Sequence, residues 1–119
     1  MSDRSATEQA INLFFEAINT NNAAIIPLAD DVVMSGPMMP EPKSGQAAVR
    51  EYINEIAPFI SKVVVKTVIV ESDRAAVIAS FEMLNGVSFD GAEFFQLENG
   101  LITQDLVFFD TRKLFKGTN

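Results

Sequence analysis

From Lys62 to Phe109 three turn signals divide the sequence into four strand-like runs, and no other feature constrains the fold as much. Residues 62–71 are rich in Val, Ile and Thr, which suit a half-buried pleated surface. Ser72-Asp73-Arg74 turns the chain. Residues 75–84 then alternate Val77, Ala79, Phe81 and Met83 against a more mixed face. Asn85-Gly86 is the strongest short-range hairpin signal present. Residues 87–97 follow, with Gly91 inside them predicting a bulge. Glu98-Asn99-Gly100 turns again, and residues 101–109 form the last run. Consecutive strands joined this tightly are antiparallel neighbours.

The first half reads as helical. Ser5-Ala6-Thr7-Glu8 fits a capping box, and Ile11, Phe14, Phe15 and Ile18 recur at helical spacing behind it. Asn19-Thr20-Asn21-Asn22 ends that helix. A short helix is predicted near 23–28, although Pro27 removes a backbone donor there. Val32-Val33-Met34 predicts a short strand. Residues 36–42 hold Gly36, Pro37, Pro40 and Pro42 and cannot be regular structure. Ser44 then caps a third helix over 45–57, which Pro58 stops. Helices first and strands afterwards predict an α+β fold, because a parallel sheet needs alternating units. The expected architecture is a curved antiparallel sheet wrapped over three N-terminal helices, with a cone-shaped cavity open at one end. The 119 residues make one domain, with a core over about 5–110 and a polar tail over 111–119.

Composition narrows the chemistry. There is no Cys and no His, so thiolate nucleophiles, disulfides, the usual zinc sites and His-based triads are excluded. Proton transfer would fall to Asp, Glu, Tyr or Lys. A formal net charge of −7 disfavours nucleic acid and anionic membrane as partners. No apolar run of membrane-spanning length is present, and Met1-Ser2-Asp3-Arg4-Ser5 lacks an apolar leader core. A cytoplasmic protein without a metal or cofactor is expected.

The stretch Leu28-Ala29-Asp30-Asp31-Val32, then Gly36-Pro37, then Glu41-Pro42-Lys43-Ser44-Gly45-Gln46-Ala47-Ala48-Val49-Arg50-Glu51-Tyr52 resembles the ketosteroid isomerases. Ser80-Phe81-Glu82 and the run from Phe95 through Leu97, Asn99 and Gly100 to Ile102 look like the same nuclear transport factor 2-like superfamily, which includes SnoaL-like polyketide cyclases. The resemblance spans residues 8–110. In those isomerases an aspartate removes a proton beside a ketone, while a tyrosine and a protonated carboxylic acid hold the enolate oxygen. Matched by motif, the aspartate base falls at Gly36, the oxyanion tyrosine at Phe14 and a supporting tyrosine at Ile53, beside Tyr52. The protonated acid falls at Glu93. Only that last role keeps its chemistry, which argues against steroid isomerisation by the family's route. The resemblance to the cyclases instead implies an acid/base at Asp105 on the last strand.

Alternation supports the pair. Thr103, Asp105, Val107 and Phe109 share one strand face, and Glu93 shares one with Phe95 and Leu97. If both carboxyls enter one apolar cavity, Asp105 would be the base and Glu93 the proton donor. The wall around them is expected from Phe14, Ile18, Ile56, Phe59, Phe81 and Phe95 of the core, with Val107 and Phe109. Met34, Met38, Met39 and Met83 would adapt the mouth to an irregular apolar ligand, with Tyr52 at the rim. Val63-Val64-Val65 and Phe108-Phe109 place apolar residues on both strand faces, which predicts a second buried face and hence a homodimer through the sheet. The function expected is cofactor-free proton transfer, of isomerase or cyclase type, on a small apolar carbonyl compound. A non-catalytic pocket for a hydrophobic ligand, and a dimeric interaction domain with a vestigial pocket, are the alternatives.

Overall fold

The computed structural model describes residues 2–112, so the polar tail lies outside the described residues from 113 onward. Helix α1 (Ser2–Thr20) turns one apolar face inward, burying Ala10, Ile11, Phe14, Phe15, Ala17 and Ile18. It begins at Ser2, so Ser5 lies within the helix and is not its cap. Tertiary contacts anchor its start instead. Arg4 Nη1 donates to the Val70 carbonyl at 2.8 Å, and Thr7 Oγ1 to that of Ser72 at 2.8 Å. The asparagine run ends the helix as expected: Asn21 takes a left-handed φ of 54° while the Asn22 N–H closes back on Ala17 at 2.9 Å.

A 3-10 turn, Ala23–Ile25, replaces the short helix expected before Pro27. Strand β1 (Leu28–Ser35) is longer than the Val-Val-Met core that predicts it, and a two-residue strand β2 (Lys43–Ser44) pairs back onto it. Ser44 therefore belongs to a strand. Gly45, at φ 93°, holds the N-cap position of α2 (Gln46–Ile56) without a side-chain bond. A 3-10 turn at Ala57–Phe59 contains Pro58 and leads into β3 (Ile60–Glu71). Strands β4 (Arg74–Met83), β5 (Ser88–Glu98) and β6 (Leu101–Phe109) complete the chain.

The six strands lie in the order β2-β1-β6-β5-β4-β3. All pairs are antiparallel except β1 with β6, which run parallel because the chain traverses α2 and three further strands before returning beside β1. The sheet curves without closing, and α1 and α2 pack on its inner face. Asn99 and Gly100, at φ 53° and 79°, form the two-residue turn whose twist matches its strands. The bulge expected at Gly91 is absent: β4 and β5 pair without interruption from Arg74↔Gln96 to Glu82↔Ser88. Gly91 serves packing instead, since a Cβ there would stand 3.0 Å from Phe81 Cε2. The register shifts fall elsewhere, at Leu28/Val33 on β1, at Ile60/Lys62 and Val65/Thr67 on β3 and opposite Gln96/Leu97 on β6. Extra residues at those points bend the sheet over the helices. Asn19 secures the curve at β3, exchanging two bonds with the Val63 backbone at 2.8 and 3.0 Å. No helix among the described residues is long and apolar enough to cross a membrane.

Candidate active site

Between the helices and the curved sheet lies a cavity of about 270 Å³. Helix α1 contributes Phe14 and Ile18, and β1 contributes Met34. The proline-bearing loop adds Gly36, Pro37, Met38 and Met39. From α2 and the turn after it come Tyr52, Ile53, Ile56 and Phe59. The strands β3 to β6 supply Ile60, Phe81, Met83, Phe89, Glu93, Val107 and Phe109. Among the described side chains on this wall, only those of Glu93 and Tyr52 carry a polar group.

The cavity thus collects most of the positions picked out by pattern. Phe59 lies on it while 65% exposed, so it belongs to the mouth and not to the core. Phe95 is buried off the wall, packed edge-on against Phe14 with ring centroids 5.1 Å apart. Gly36, Ile53, Ile60 and Phe89 were not anticipated as wall residues. Phe89 sits at a regular inward position of β5, two residues before Gly91, so alternation alone could have found it.

Glu93 and Asp105 converge. On β5 and β6 the inward pairs are Glu93↔Val107 and Phe95↔Asp105, so the two carboxyls are diagonal neighbours on one face. Asp105 also faces Met34 across the parallel pairing with β1. Exposure is 3% for Glu93 and 1% for Asp105. Glu93 stands on the cavity wall, whereas Asp105, expected to face the ligand directly, lies behind it.

Among the described residues, Glu93 Oε2, Asp105 Oδ1 and Asp105 Oδ2 are buried with no donor reaching them. Two ionised carboxylates can only accept, so a hydrogen bond between them requires that one carry a proton. Burial raises both carboxyls, since the charged form loses its hydration. Glu93 goes well above the usual carboxylate range, pushed further by the charge of Asp105 and by its hydrogen bond to Asp105. Asp105 rises to about 7, held back by the same hydrogen bond to Glu93. The first proton to leave therefore comes from Asp105, and Glu93 then donates to the ionised Asp105. Tyr52 is raised by its own burial and by the charges of Asp105 and Glu55, so its hydroxyl keeps its proton near neutral pH. Among the described residues no cluster of potential metal ligands exists.

Gly36, where the isomerase motif has its aspartate, stands close against β6, so a larger side chain there needs Val107 to give way. A Cβ there would stand 3.2 Å from Val107 Cβ. Phe14 occupies the tyrosine position and is 1% exposed within the aromatic cluster.

Comparison with known proteins agrees with this geometry. No curated protein sequence matches the chain. Among solved structures, a nuclear transport factor 2-like protein of unknown function from Cytophaga hutchinsonii is 26% identical, with a TM-score of 0.78 over 92% of this chain and 95% of that one. A protein from Kribbella flavida, provisionally named a ketosteroid isomerase, is 20% identical, with a TM-score of 0.81 over 91% and 80% of the two chains. An LEH-like epoxide hydrolase from M. tuberculosis is 17% identical, with a TM-score of 0.79 over 96% and 90%. The SnoaL-like domain family matches residues 11–104, a span that includes Glu93 and stops one residue short of Asp105. With that match over most of its length and a curved sheet shared with these structures, the chain belongs to the SnoaL-like family of the nuclear transport factor 2-like superfamily.

Proposed function

We propose that this protein catalyses cofactor-free proton transfer, of isomerase or cyclase type, on a small apolar carbonyl compound. The observation that carries this reading is the convergence of two buried carboxyls, one on the wall of an apolar cavity and one behind it. A relative named as an isomerase and another named as an epoxide hydrolase, built on the same fold, are consistent with small-molecule chemistry in such a cavity.

With one proton on the pair, the step balances as follows. The bond from hydrogen to the carbon beside the ketone breaks, and that proton goes to Glu93. The proton already on Glu93 passes along the hydrogen bond to Asp105. The electron pair left on carbon moves onto the ketone oxygen as an enolate, near the Tyr52 hydroxyl that is the other polar hydrogen on the wall. Return of a proton from Glu93 to another carbon completes an isomerisation. Asp105 thereby sets the base strength, while Glu93 is the group that meets the substrate. A base titrating near neutrality suits transfer at ordinary pH.

The test is solvent deuterium incorporation beside the carbonyl of tert-butylcyclohexanone, read by mass spectrometry. Incorporation above the buffer rate, abolished in Glu93→Gln, is expected. Tight binding without incorporation would make the protein a binding module, the reading favoured by Gly36 and Phe14 standing where the isomerases carry their base and tyrosine.

We also propose a homodimer through the outer sheet face. Val64, Ile69, Ile78, Phe94 and Phe108 are exposed there, and the Phe94 and Phe108 rings meet edge-on at 5.9 Å.

A further inference from the structure

The cavity has one feature that carbonyl chemistry does not exhaust: an acidic pair with no cation beside it among the described residues. None of the described Lys or Arg residues lies on the wall, and no described donor reaches Glu93 Oε2 or either oxygen of Asp105. When the pair is ionised, the molecule holds a buried negative charge without a counter-charge, a costly arrangement. A ligand that brings a cation relieves it. Because the carboxylate is already desolvated by folding, only the ligand's own ammonium must lose water on binding. That shifts the usual near-balance of a buried ion pair toward association.

Size and wall chemistry narrow the ligand. An apolar cavity of about 150 Å³ takes one benzene, so about 270 Å³ has room for about eleven non-hydrogen atoms. Apart from Glu93 and Tyr52 the wall is apolar, so the remainder of the ligand must be hydrocarbon. An ammonium brings up to three donors, and Glu93 on the wall presents the acceptor. A carboxylate ligand meets the same pair as a like charge.

We propose that this cavity is also a binding site for apolar primary amines of about eleven non-hydrogen atoms, held as ammonium ions at Glu93, whose carboxyl oxygen accepts, with Asp105 behind it as the positioning residue that carries the negative charge of the pair. The proposal shares with the proton-transfer reading the assumption that the cavity takes a small apolar ligand. Among the described residues, the titratable groups facing the pair are few. Besides each other, Glu93 on β5 and Asp105 on β6 have Tyr52 from α2, with Glu55 acting on Tyr52. Helix α1 presents Phe14 and Ile18, and β1 presents Met34, none of them ionisable. The pH dependence of amine binding therefore reports the pair.

The experiment is titration calorimetry of the full chain with tert-butylcyclohexylamine, tert-butylcyclohexanone and ethylcyclohexane carboxylate, matched in number of non-hydrogen atoms, at pH 6, 7 and 8. The amine stays an ammonium throughout, as a lysine does. With Asp105 titrating at about 7, the singly ionised pair rises from about one in eleven molecules at pH 6 to about ten in eleven at pH 8. Amine affinity should rise about tenfold over that range, ketone affinity should not rise, and the carboxylate should not bind. In Asp105→Asn the tenfold rise centred on pH 7 should be lost or displaced to the midpoint of Glu93 alone. A purely structural role for Asp105 would instead lower amine affinity by the same factor at every pH and leave the rise centred on pH 7. Flat amine affinity across pH 6–8 in the unmodified protein, or carboxylate binding as tight as the amine's, overturns the proposal without needing any variant. Ketone binding without amine binding overturns it and leaves the proton-transfer reading standing. Failure of all three probes to bind sinks both.

Discussion

Asp105 makes the stability of this protein depend on pH in the direction opposite to that of a surface salt bridge. Its carboxyl is raised from 3.8 to about 7 by burial, so the folded chain keeps a proton that the unfolded chain releases. Stability from this group is fully present below the ordinary carboxylate value and is lost as pH rises toward 7. A displacement of that size is worth ~4 kcal/mol in all, and ~2 kcal/mol between pH 5 and pH 7. Against a total of roughly 5–15 kcal/mol for a domain, that is a large fraction. Glu93 acts in the same sense, with its loss displaced to higher pH. Replacing Asp105 with Asn removes the ionisation and keeps the shape. Urea unfolding of both proteins at a series of pH values from 5 to 8 isolates the effect. The gap between them should move by ~2 kcal/mol in favour of Asp105→Asn as pH rises from 5 to 7. A gap that is constant across pH would report packing alone and would refute the claim that this carboxyl is held protonated by burial.

Gly36→Asp restores a carboxyl where the family's isomerases have one, but its Cβ would meet Val107 at 3.2 Å. Thermal unfolding should show a loss of ~1–3 kcal/mol from overpacking, and no gain in proton transfer; unchanged stability would show that the wall yields there. Negligible isomerisation of unsaturated ketosteroids is expected, because Gly36 supplies no base and a four-ring ligand exceeds a cavity of about 270 Å³; a robust rate would mean that Glu93 and Asp105 suffice for a ligand of that size. Light scattering at micromolar concentration should give twice the 13.0 kDa chain mass, and Phe108→Glu should halve it, since Phe108 is 53% exposed on the outer face; a monomer in the unmodified protein would contradict pairing through the sheet.

Much of this arrangement was legible in the residues, for identifiable reasons. Period-two alternation carried β4 to β6, because one face is buried and a slip of one residue would expose Phe81, Phe95 or Ile102. The same alternation brought Glu93 and Asp105 to one face. What alternation cannot supply is depth. Whether Asp105 touches a ligand or stands behind Glu93 depends on where Met34 lies in a parallel pairing that joins residues far apart in sequence. Gly91 misled for a related reason. A glycine in a strand signals either a bulge or a close neighbour, and the neighbour here is a ring on β4. The β3 bulges leave no such mark, since Ser61 and Lys66 are ordinary strand-edge residues. Helix starts were also obscured. Ser5 and Ser44 look like caps, but Arg4 and Thr7 anchor α1 to the β3–β4 turn, and strand pairing claims Ser44.

The account rests on two carboxyls sharing protons inside an apolar cavity, and carboxyl-carbon NMR titration of the labelled protein measures this most directly. The Glu93 and Asp105 resonances should titrate together, with Asp105 moving near pH 7 and Glu93 well above the ordinary range. Each should shift its midpoint when the other is replaced by its amide. Two independent titrations near about 4, each indifferent to the other's replacement, would place both groups in water and contradict the account.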